Sequence, residues 1–425
     1  MGQSVCQHDS AIDHVDSLET GKLRTRIVPT LSSLPDDCLQ RVTADGGPFA
    51  VMQWYRMLEQ VDLSAITGGA IELNFAVTSV AETPVAICPI LRARGGSLYA
   101  PYSFRRFYFE SWIEHLRRRD PEWAVQNESS FALVDAYRRL LEGLKCSLDD
   151  FLIVLSPLTL RLQLPVAALS SGRGNEVTQH LIDRLKGHAE DVGRPLWFLG
   201  TPESLSQTLG DAGFECAFFS HDNHIDVSRF DCFEDYLQSF SSKNRYGMLR
   251  EMRRNASAGV RFRWVDDFAP HAEAFARLYH NTYTKNQTSI LQFTPDVWQS
   301  LNEGLQGRTQ TLLAERDGRL IGFHLCLTSD TCGDMYGYRI GRSYESELQR
   351  LPVYFELCIY EPVRRAIEQG CHTYGAGVGA SDAKTRRGSQ PRPLYHCFWF
   401  PRLRDRWLLR PYLQKFGETA LRRGA

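Results

Sequence analysis

The chain has 425 residues, of which 43% are hydrophobic and 11% aromatic, and its formal net charge is −1. This composition excludes a disordered or fibrous protein, and the length is sufficient for two domains with large cores. A near-neutral chain has no global field that would draw it to nucleic acid or to a membrane, so any such attraction has to be local.

The eleven cysteines are scattered singly between Cys6 and Cys397, with no CxxC pair. In a chain without a secretory apolar segment, this pattern predicts reduced thiols and a cytoplasmic location. The apolar run from Phe151 to Leu160 is interrupted by Ser156 and Pro157, so it is too short for a membrane span. We therefore expect no membrane-spanning segment.

The first half of the chain follows an α/β pattern. Residues 1–22 are polar and predict a flexible N-terminal tail. From Leu23 to residue 220, strand patterns alternate with helical ones and include a hairpin around Ala81 and Glu82. This segment is predicted to be one domain. Its strand patterns are LRTRIVPT, IELNFAVTSV, TPVAICPILR, FLIVLSPL and PLWFLG, and its helical patterns are FAVMQWYRML, DAYRRLLEGLK, NEVTQHLIDRLKGHA and SLSQTLGDAGF.

Residues 221–425 are predicted to be a second domain, entered through a polar connector at residues 220–230. His221 and His224 lie three apart in this connector, but no third ligand is near, so no metal site is predicted. The domain continues with helices, two strands joined at Asp317-Gly318, a favoured hairpin dipeptide, and a third strand, GDMYGYRIG.

Two segments of the second domain are strongly basic. Residues 243–264 carry seven basic side chains and one acid, for a local charge of +6, and residues 384–425 carry eleven basic side chains and two acids, for +9. In a near-neutral protein these segments indicate a polarised surface that suits a polyanion. Each segment is equally typical of a solvated helix face or loop.

The stretch from Leu351 to Phe400 combines several features of a binding site. It predicts an amphipathic helix that stops at Gly370, a strand from Cys371 to Gly375, a glycine-broken basic loop and an aromatic strand. The loop contains Lys384 and several arginines, between glycines that let the backbone approach a ligand closely. These residues predict a site for a polyanion.

Three motifs in this region carry a family resemblance: Tyr336-Gly337-Tyr338-Arg339-Ile340-Gly341, then FELCIY at Phe355–Tyr360, then Lys384-x-x-Arg387-Gly388-x-x-Pro391. They resemble the C-terminal half of FemAB-like acyltransferases, the peptidoglycan biosynthesis/recognition branch of the GNAT superfamily. FEDYLQSFSSKNRYGMLREMRRNASAGVRFRW resembles the entry to the same domain. The resemblance implies an α/β fold of two tandem GNAT-like domains, with mixed, mainly antiparallel sheets flanked by helices, and a catalytic second domain.

The activity that the resemblance implies is transfer of an activated acyl or aminoacyl group to an amine, by direct attack in a ternary complex. The donor is acyl-CoA, an acyl carrier or charged tRNA as co-substrate, with no tightly bound cofactor, and the acceptor is a small-molecule or peptide amine. The segment from Gly341 to Pro352 lacks the R/Q-x-x-G-x-G/A loop of CoA-dependent members. An aminoacyl-tRNA-dependent transferase of cell-wall or natural-product biosynthesis and a non-catalytic GNAT pair therefore remain alternatives.

The resemblance also implies roles for individual residues. Lys384 is expected to polarise the carbonyl or to contact a donor phosphate, with Glu356 and Tyr338 as further catalytic residues. Glu356 would hold the acceptor amine or form an ion pair with Arg339. The residues expected to bind donor phosphates are Arg386, Arg387, Arg339 and Arg254, and those expected to bind the acceptor are Tyr102 and His396.

Overall fold

The computed structural model describes residues 20–422, with gaps at 45–46, 95–96, 98, 112–113, 115–116, 118–121, 123–124, 126–127, 147, 168, 170, 287–290 and 330–332. The predicted tail therefore lies almost wholly outside the described residues. The described strands are β1 Leu23–Val28, β2 Ala70–Val80, β3 Thr83–Arg94, β4 Leu152–Val154, β5 Leu196–Pro202, β6 Glu215–Asp226, β7 Arg261–Val265, β8 Thr309–Arg316, β9 Arg319–Ser329, β10 Asp334–Arg342, β11 Thr373–Val378 and β12 Gln390–Trp399.

Helices cover both faces of the sheet. They are α1 Asp36–Thr43, α2 Met52–Gln60, α3 Leu63–Thr67, α4 Glu128–Gly143, α5 Ser171–Asp191, α6 Glu203–Asp211, α7 Phe233–Gln238, α8 Ser242–Ser257, α9 Ala272–Asn286, α10 Pro295–Gly304, α11 Ser346–Gln349, α12 Val353–Phe355, α13 Glu361–Glu368, α14 Ser381–Thr385 and α15 Leu403–Arg422. A π-helical segment, Glu356–Tyr360, joins α12 to α13. Short 3₁₀ turns lie at Ala100–Tyr102 and Ala269–His271, and a second π segment lies at Arg106–Ser111.

The described strands form one continuous sheet in the order β1-β2-β3-β4-β5-β12-β6-β11-β10-β9-β8-β7. This order is symmetric about its centre, because each strand of the series β1–β6 has its counterpart six strands later in the chain. Two pairs are parallel, β4 with β5 and β10 with β11, and the other neighbours are antiparallel. The fold is thus a mixed, mainly antiparallel α/β fold with two halves of like topology.

The two halves exchange their last strands. β12, from the end of the chain, pairs with β5 in the first half of the sheet, and β6 pairs with β11 in the second half. β12 and β6 also pair with each other at the centre of the sheet. The boundary predicted between residues 220 and 221 falls inside β6, so the division into 23–220 and 221–425 stays a prediction.

One large core is shared by both halves, and of three smaller clusters one lies in the first half of the sheet and two lie in the second. The shared core is rich in aromatic residues and runs from Trp54 and Trp197 to Trp298 and Phe323. Burial of each large side chain of this kind contributes about 1.5–3 kcal/mol. α10 packs so closely on α2 that a Cβ at Gly304 would lie 2.8 Å from Met57 Cβ. The halves are therefore joined by a common core as well as by exchanged strands.

Several expectations from the sequence are wrong. The supposed connector at residues 220–230 is largely the central strand β6, and the supposed strand FLIVLSPL ends at Val154, after which the chain forms a loop. The C-terminal segment, for which no helix was predicted, forms α15. Cys216 and Cys397, opposite each other on β6 and β12, are joined by a disulfide, which corrects the expectation of reduced thiols throughout.

No helix in the described part of the chain is both long and apolar enough to cross a bilayer.

Candidate active site

The strands β10 and β11 pair over three residues only and then part. The last paired residues are Tyr336 and Gly375, after which β10 continues to Arg342 beside β9 and β11 continues to Val378 beside β6. A cavity of about 150 Å³ lies where they separate. It is lined by Phe49, Thr159, Leu160, Arg161, Tyr283, His324, Tyr336, Gly337, Tyr338, Arg339, Ile340, Tyr354, Cys358, Ala376, Gly377, Val378 and Lys384. A cleft between parting parallel strands exposes backbone groups that no neighbouring strand pairs.

A β-bulge in β10 lies at the cavity. The register with β9 passes from Gly337 opposite Cys326 to Arg339 opposite Leu325, which leaves Tyr338 without a register partner. Gly337 is required here because a Cβ at this position would lie 2.5 Å from His324 Nε2 and 2.9 Å from Tyr374 Oη. Bulges redirect side chains and free backbone groups beside functional sites.

Lys384 was expected in an open loop, but it lies on α14 and only 3% of its surface is exposed. Its ammonium group donates hydrogen bonds to the carbonyl oxygens of Gly377 at 3.0 Å and Val378 at 3.4 Å, at the end of β11. Burial lowers the pKa of Lys384, while nearby Cys358 and Asp222 favour its charged form. The lysine therefore places a positive charge at the point where the strands part.

Arg339 lines the opposite part of the cavity. Its guanidinium donates hydrogen bonds to the carbonyl oxygens of Tyr338, at 3.1 Å, and of Leu158. It lies over the rings of Tyr338 and Phe293, at 4.1 Å and 5.3 Å from the ring centroids. The alternative ion pair with Glu356 does not form.

A third cation, Arg161, reaches the cavity from the loop after β4. Its Nη1 lies 2.8 Å from Oδ2 of buried Asp222, which also accepts hydrogen bonds at 2.8 Å from Tyr336 Oη and from His224 Nε2. Burial alone would raise the pKa of Asp222, but Arg161 and the hydrogen bonds from His224 and Tyr336 hold it well below its usual range. These contacts hold the ion pair of Arg161 and Asp222 beneath the wall of the cavity.

His324 on β9 is a cavity residue that the sequence did not reveal. Its Nδ1 is 2.7 Å from the carbonyl oxygen of Leu357, so in the neutral ring Nδ1 carries the hydrogen and Nε2 is free to accept a proton. Burial lowers the pKa of His324 to about 4. The imidazole is therefore neutral at physiological pH.

Other predicted residues lie away from the cavity. Glu356, with 8% of its surface exposed, accepts a hydrogen bond from Asn255 Nδ2 on α8. Tyr102 accepts a hydrogen bond from the backbone N–H of Leu158 at 2.8 Å and so supports the loop that carries Arg161. His396 is fully buried, 2.6 Å from Tyr108 Oη and stacked on Phe219, and burial lowers its pKa well below the ordinary value.

The three arginines expected to bind phosphate, apart from Arg339, have different environments. Nη2 of Arg387 donates to both carboxylate oxygens of Glu251, at 2.8 and 2.9 Å, and its Nε donates to Tyr360 Oη at 2.7 Å. Arg386 is exposed on the surface. Arg254 donates to the carbonyl oxygen of Arg350 at 3.0 Å and lines, with Arg250 and Arg253, a surface depression of about 410 Å³ on α8.

The part of the chain that the structure describes contains neither a group of three metal ligands nor, at His221 and His224, a pair of histidines free to bind a metal. No three His, Cys, Asp or Glu side chains are grouped so that they could hold a metal ion there. His221 and His224, the pair noted in the sequence, are neighbours of the Asp222 cluster, in which His224 is a hydrogen-bond partner rather than a free ligand.

Solved structures resemble this fold at low sequence identity. FemX is 11% identical, with 92% of this chain and 100% of that chain covered and a TM-score of 0.54. A tandem GNAT protein from the clavulanic acid biosynthesis pathway is 12% identical, with 90% and 99% covered and a TM-score of 0.45. The C-terminal domain of a putative lysylphosphatidylglycerol synthetase from Agrobacterium fabrum is 14% identical, with 60% and 80% covered and a TM-score of 0.43.

Sequence comparison gives the family. No curated protein sequence matches the chain. A family model for FemAB-like proteins, described as peptidoglycan biosynthesis/recognition, matches residues 169–422. This match covers more than half of the chain and includes β10, β11 and Lys384, so the chain belongs to the FemAB-like family.

Proposed function

We propose that this protein is a transferase that moves an activated acyl or aminoacyl group to an amine, and that the reaction takes place in the cavity between β10 and β11. The proposal rests on one observation: the parallel strands β10 and β11 separate beside a β-bulge and a buried lysine. Family membership supports it, because FemAB-like proteins are described by their role in peptidoglycan biosynthesis or recognition.

Acyl transfer needs stabilisation of the oxyanion that forms when the amine attacks the carbonyl carbon. The backbone N–H of Tyr338 is our candidate donor, because the bulge leaves this residue without a register partner on β9. The Lys384 ammonium group adds positive charge from the side of β11. A point charge in a buried site stabilises developing negative charge more strongly than in water.

The amine must lose a proton as the new C–N bond forms and the bond to the leaving group breaks. We assign this proton to His324 Nε2, directly or through water, since Nδ1 is engaged with Leu357 and Nε2 faces Gly337 at the cavity. The leaving thiolate or alkoxide then takes up a proton. With a pKa of about 4, His324 is a weak base, so its contribution should lie near the lower limit of about 10²-fold for general-base catalysis.

The donor is either a CoA or carrier thioester or an aminoacyl ester of tRNA. A phosphate-rich donor is favoured by the exposed basic face of α8, where Arg250, Arg253 and Arg254 line a depression. Exposed Arg386, next to the cavity lysine on the chain, is a further candidate contact. Arg387 is unsuited to this role while Glu251 occupies its guanidinium, and we assign it to holding α14 against α8.

The test is a transfer assay by mass spectrometry in which the full chain is incubated with acyl-CoA thioesters or charged tRNA and a set of amine acceptors. We expect an amide product that is lost in Lys384→Met and strongly reduced in His324→Gln. Arg184→Gln on α5 is the control, because this exposed residue lies on a helix of the first half. Product from charged tRNA that falls steeply with added salt would assign an aminoacyl donor. Absence of product with every donor would favour the non-catalytic alternative.

A further inference from the structure

The cavity between β10 and β11 has an unbalanced positive charge. Arg161, Arg339 and Lys384 line it, whereas none of the described residues that line it is an Asp or Glu. Asp222 balances Arg161 from beneath the wall. Among the described residues, Arg339 and Lys384 have no ion-pair partner, and their polar contacts are to backbone carbonyl groups.

Arg339 retains unused hydrogen-bonding capacity. A guanidinium has five N–H donors in a planar fork, which matches a carboxylate in a bidentate arrangement. The structure gives Arg339 two acceptors, both carbonyl oxygens, and its Nε is buried without a hydrogen-bond partner. Each terminal nitrogen of Arg339 makes one of these two bonds and has a second N–H that can donate to a ligand in the cavity. The rings of Tyr338 and Phe293 hold the guanidinium in place.

The size of the cavity limits what it can hold. At about 150 Å³ it is comparable to an engineered protein cavity of about 150 Å³ that binds one benzene molecule. The anionic group and the reacting atom must therefore belong to one residue-sized fragment. A nucleotide or a tRNA end does not fit as a whole, so donor phosphates would bind outside this space.

We infer that the acceptor is an amino acid or a fragment of similar size that carries a carboxylate close to its reacting amine, and that Arg339 binds this carboxylate. The inference rests on the proposed transfer function, because it assigns the cavity to the acceptor. The positive charges also favour the neutral form of the amine, which is the form that attacks, because a nearby cation lowers the pKa of an ammonium group.

The binding test uses the full chain and four small probes in thermal-shift and calorimetric titrations: L-alanine, L-alaninamide, ethylamine and inorganic phosphate. We expect L-alanine to stabilise the protein and the two probes without a carboxylate to have no effect. Arg339→Gln should abolish the L-alanine shift, and Arg339→Lys, which keeps the charge but loses the fork, should weaken binding at least tenfold. Arg184→Gln should leave the shift unchanged.

The turnover test separates this inference from the proposed function. With the donor that supports transfer, kcat/KM for L-alanine should exceed that for ethylamine at least tenfold, and Arg339→Gln should remove this preference by lowering kcat/KM for L-alanine much more than that for ethylamine. An equal loss for both acceptors would overturn the carboxylate role, as would Arg339-dependent binding of phosphate but not of L-alanine. Arg339-dependent binding of L-alanine without any transfer would support the carboxylate site and contradict the transferase function.

Discussion

Lys384 combines two roles that differ in their energetic consequences. Its hydrogen bonds to Gly377 and Val378 satisfy carbonyl groups at the end of β11, and its charge faces the cavity. Lys384→Met keeps most of the side-chain volume but removes both. We expect a loss of about 100-fold in kcat, because removal of one donor to an oxyanion costs about 10²–10³-fold.

Lys384→Met should also change the stability of the fold, through two contributions of opposite sign. Two unpaired buried carbonyl groups destabilise the fold by about 1–3 kcal/mol each, but the variant no longer buries a charge, which offsets part of that cost. Steady-state kinetics and urea unfolding measured on the same preparation distinguish the two effects. Unaltered kcat in a folded variant would show that the lysine only supports the strand end.

Glu356 gives a prediction on pH. Burial raises its pKa to about 7, Asn255 opposes the shift by donating a hydrogen bond, and nearby Glu361 and Glu251 reinforce it. Between about pH 4.5 and 7 the folded state keeps a proton that the unfolded state releases, so stability falls as the pH rises through this window, by about 3 kcal/mol in total. Glu356→Gln should remove this loss.

The measurement is the difference in melting temperature between Glu356→Gln and the unsubstituted protein at several pH values. We expect this difference to grow in favour of the variant from pH 5 to pH 7.5 and then to level off. Glu347→Gln, at an exposed position on α11, controls for a general effect of charge removal. A difference that does not vary with pH would show that Glu356 is ionised throughout.

At the scale of residues, the sequence predicted the part of the site that is local in the chain. Tyr338, Arg339 and Lys384 lie in recognisable motifs and all line the cavity. Arg161 and His324 could not be found in this way, because the order of the strands brings them to the cavity from distant segments. Glu356 and Arg387 have partners on α8, Asn255 and Glu251, and no feature of the sequence indicates either contact.

The loop between β4 and α5 carries Arg161 to the cavity and depends on a glycine in β5. Gly200 has φ of +67°, and a Cβ there would lie 2.1 Å from the carbonyl oxygen of Leu160. The N–H of Leu162 donates to the Gly200 carbonyl oxygen at 2.9 Å, which holds the loop against the strand. The position of the loop is therefore set by close backbone packing that only glycine allows.

Two glycine substitutions should have opposite effects. Gly200→Ala combines a left-handed backbone with a direct overlap, so we expect it to destabilise the fold by about 2–4 kcal/mol. Gly187→Ala, within α5 and with no heavy atom within 4 Å of the added Cβ, should stabilise it by about 0.5–1 kcal/mol. Equilibrium unfolding in urea compares the two. Equal effects of the two variants would contradict the close packing at Leu160.

At the scale of elements, most strands and helices were predicted correctly, and the misses have physical causes. β6 was interpreted as a connector because Ser220 to His224 is a polar run, which is unusual in the middle of a sheet. Asp222 pairs with Arg161 and accepts a hydrogen bond from His224, and Asn223 donates a hydrogen bond to the carbonyl oxygen of Gly377. We predicted that these polar residues would be exposed to solvent, but they form the wall behind the cavity.

The disulfide between Cys216 and Cys397 links the two exchanged strands across the centre of the sheet. It encloses a long stretch of chain, with a sequence separation of 181 residues. In the chain-entropy model, closing a loop of this length stabilises the folded state by up to about 5 kcal/mol. We expect peptide mapping without reduction to recover the Cys216–Cys397 pair, and a reducing agent to lower the melting temperature.

Cys397→Ser provides the matched variant. Its melting temperature should lie near that of the reduced protein and should not respond to the reducing agent. Recovery of both cysteines as free thiols from freshly purified protein would contradict the pairing. In that case the original expectation of reduced cysteines would hold for this pair.

At the scale of the whole molecule, the symmetry of the sheet was only partly predictable. The succession of strands and helices and the motif resemblance predicted two tandem domains of one fold class, as observed. The exchange of β6 and β12 was not predictable, because no feature of either segment indicates which half of the sheet it joins. Each of these strands pairs with strands that are distant in the chain, and local sequence patterns do not encode such pairing.

The exchange of strands has a consequence for how the chain folds during synthesis. β5 ends at Pro202, but its partner β12 begins at Gln390, so at about 5–20 residues per second the ribosome needs roughly 10–40 s to supply it. During this time β5 is an unpaired sheet edge that can aggregate. The first half therefore cannot mature before β12 has been synthesised, and a chain that stops before β12 is expected to need a chaperone rather than to lose only its last strand.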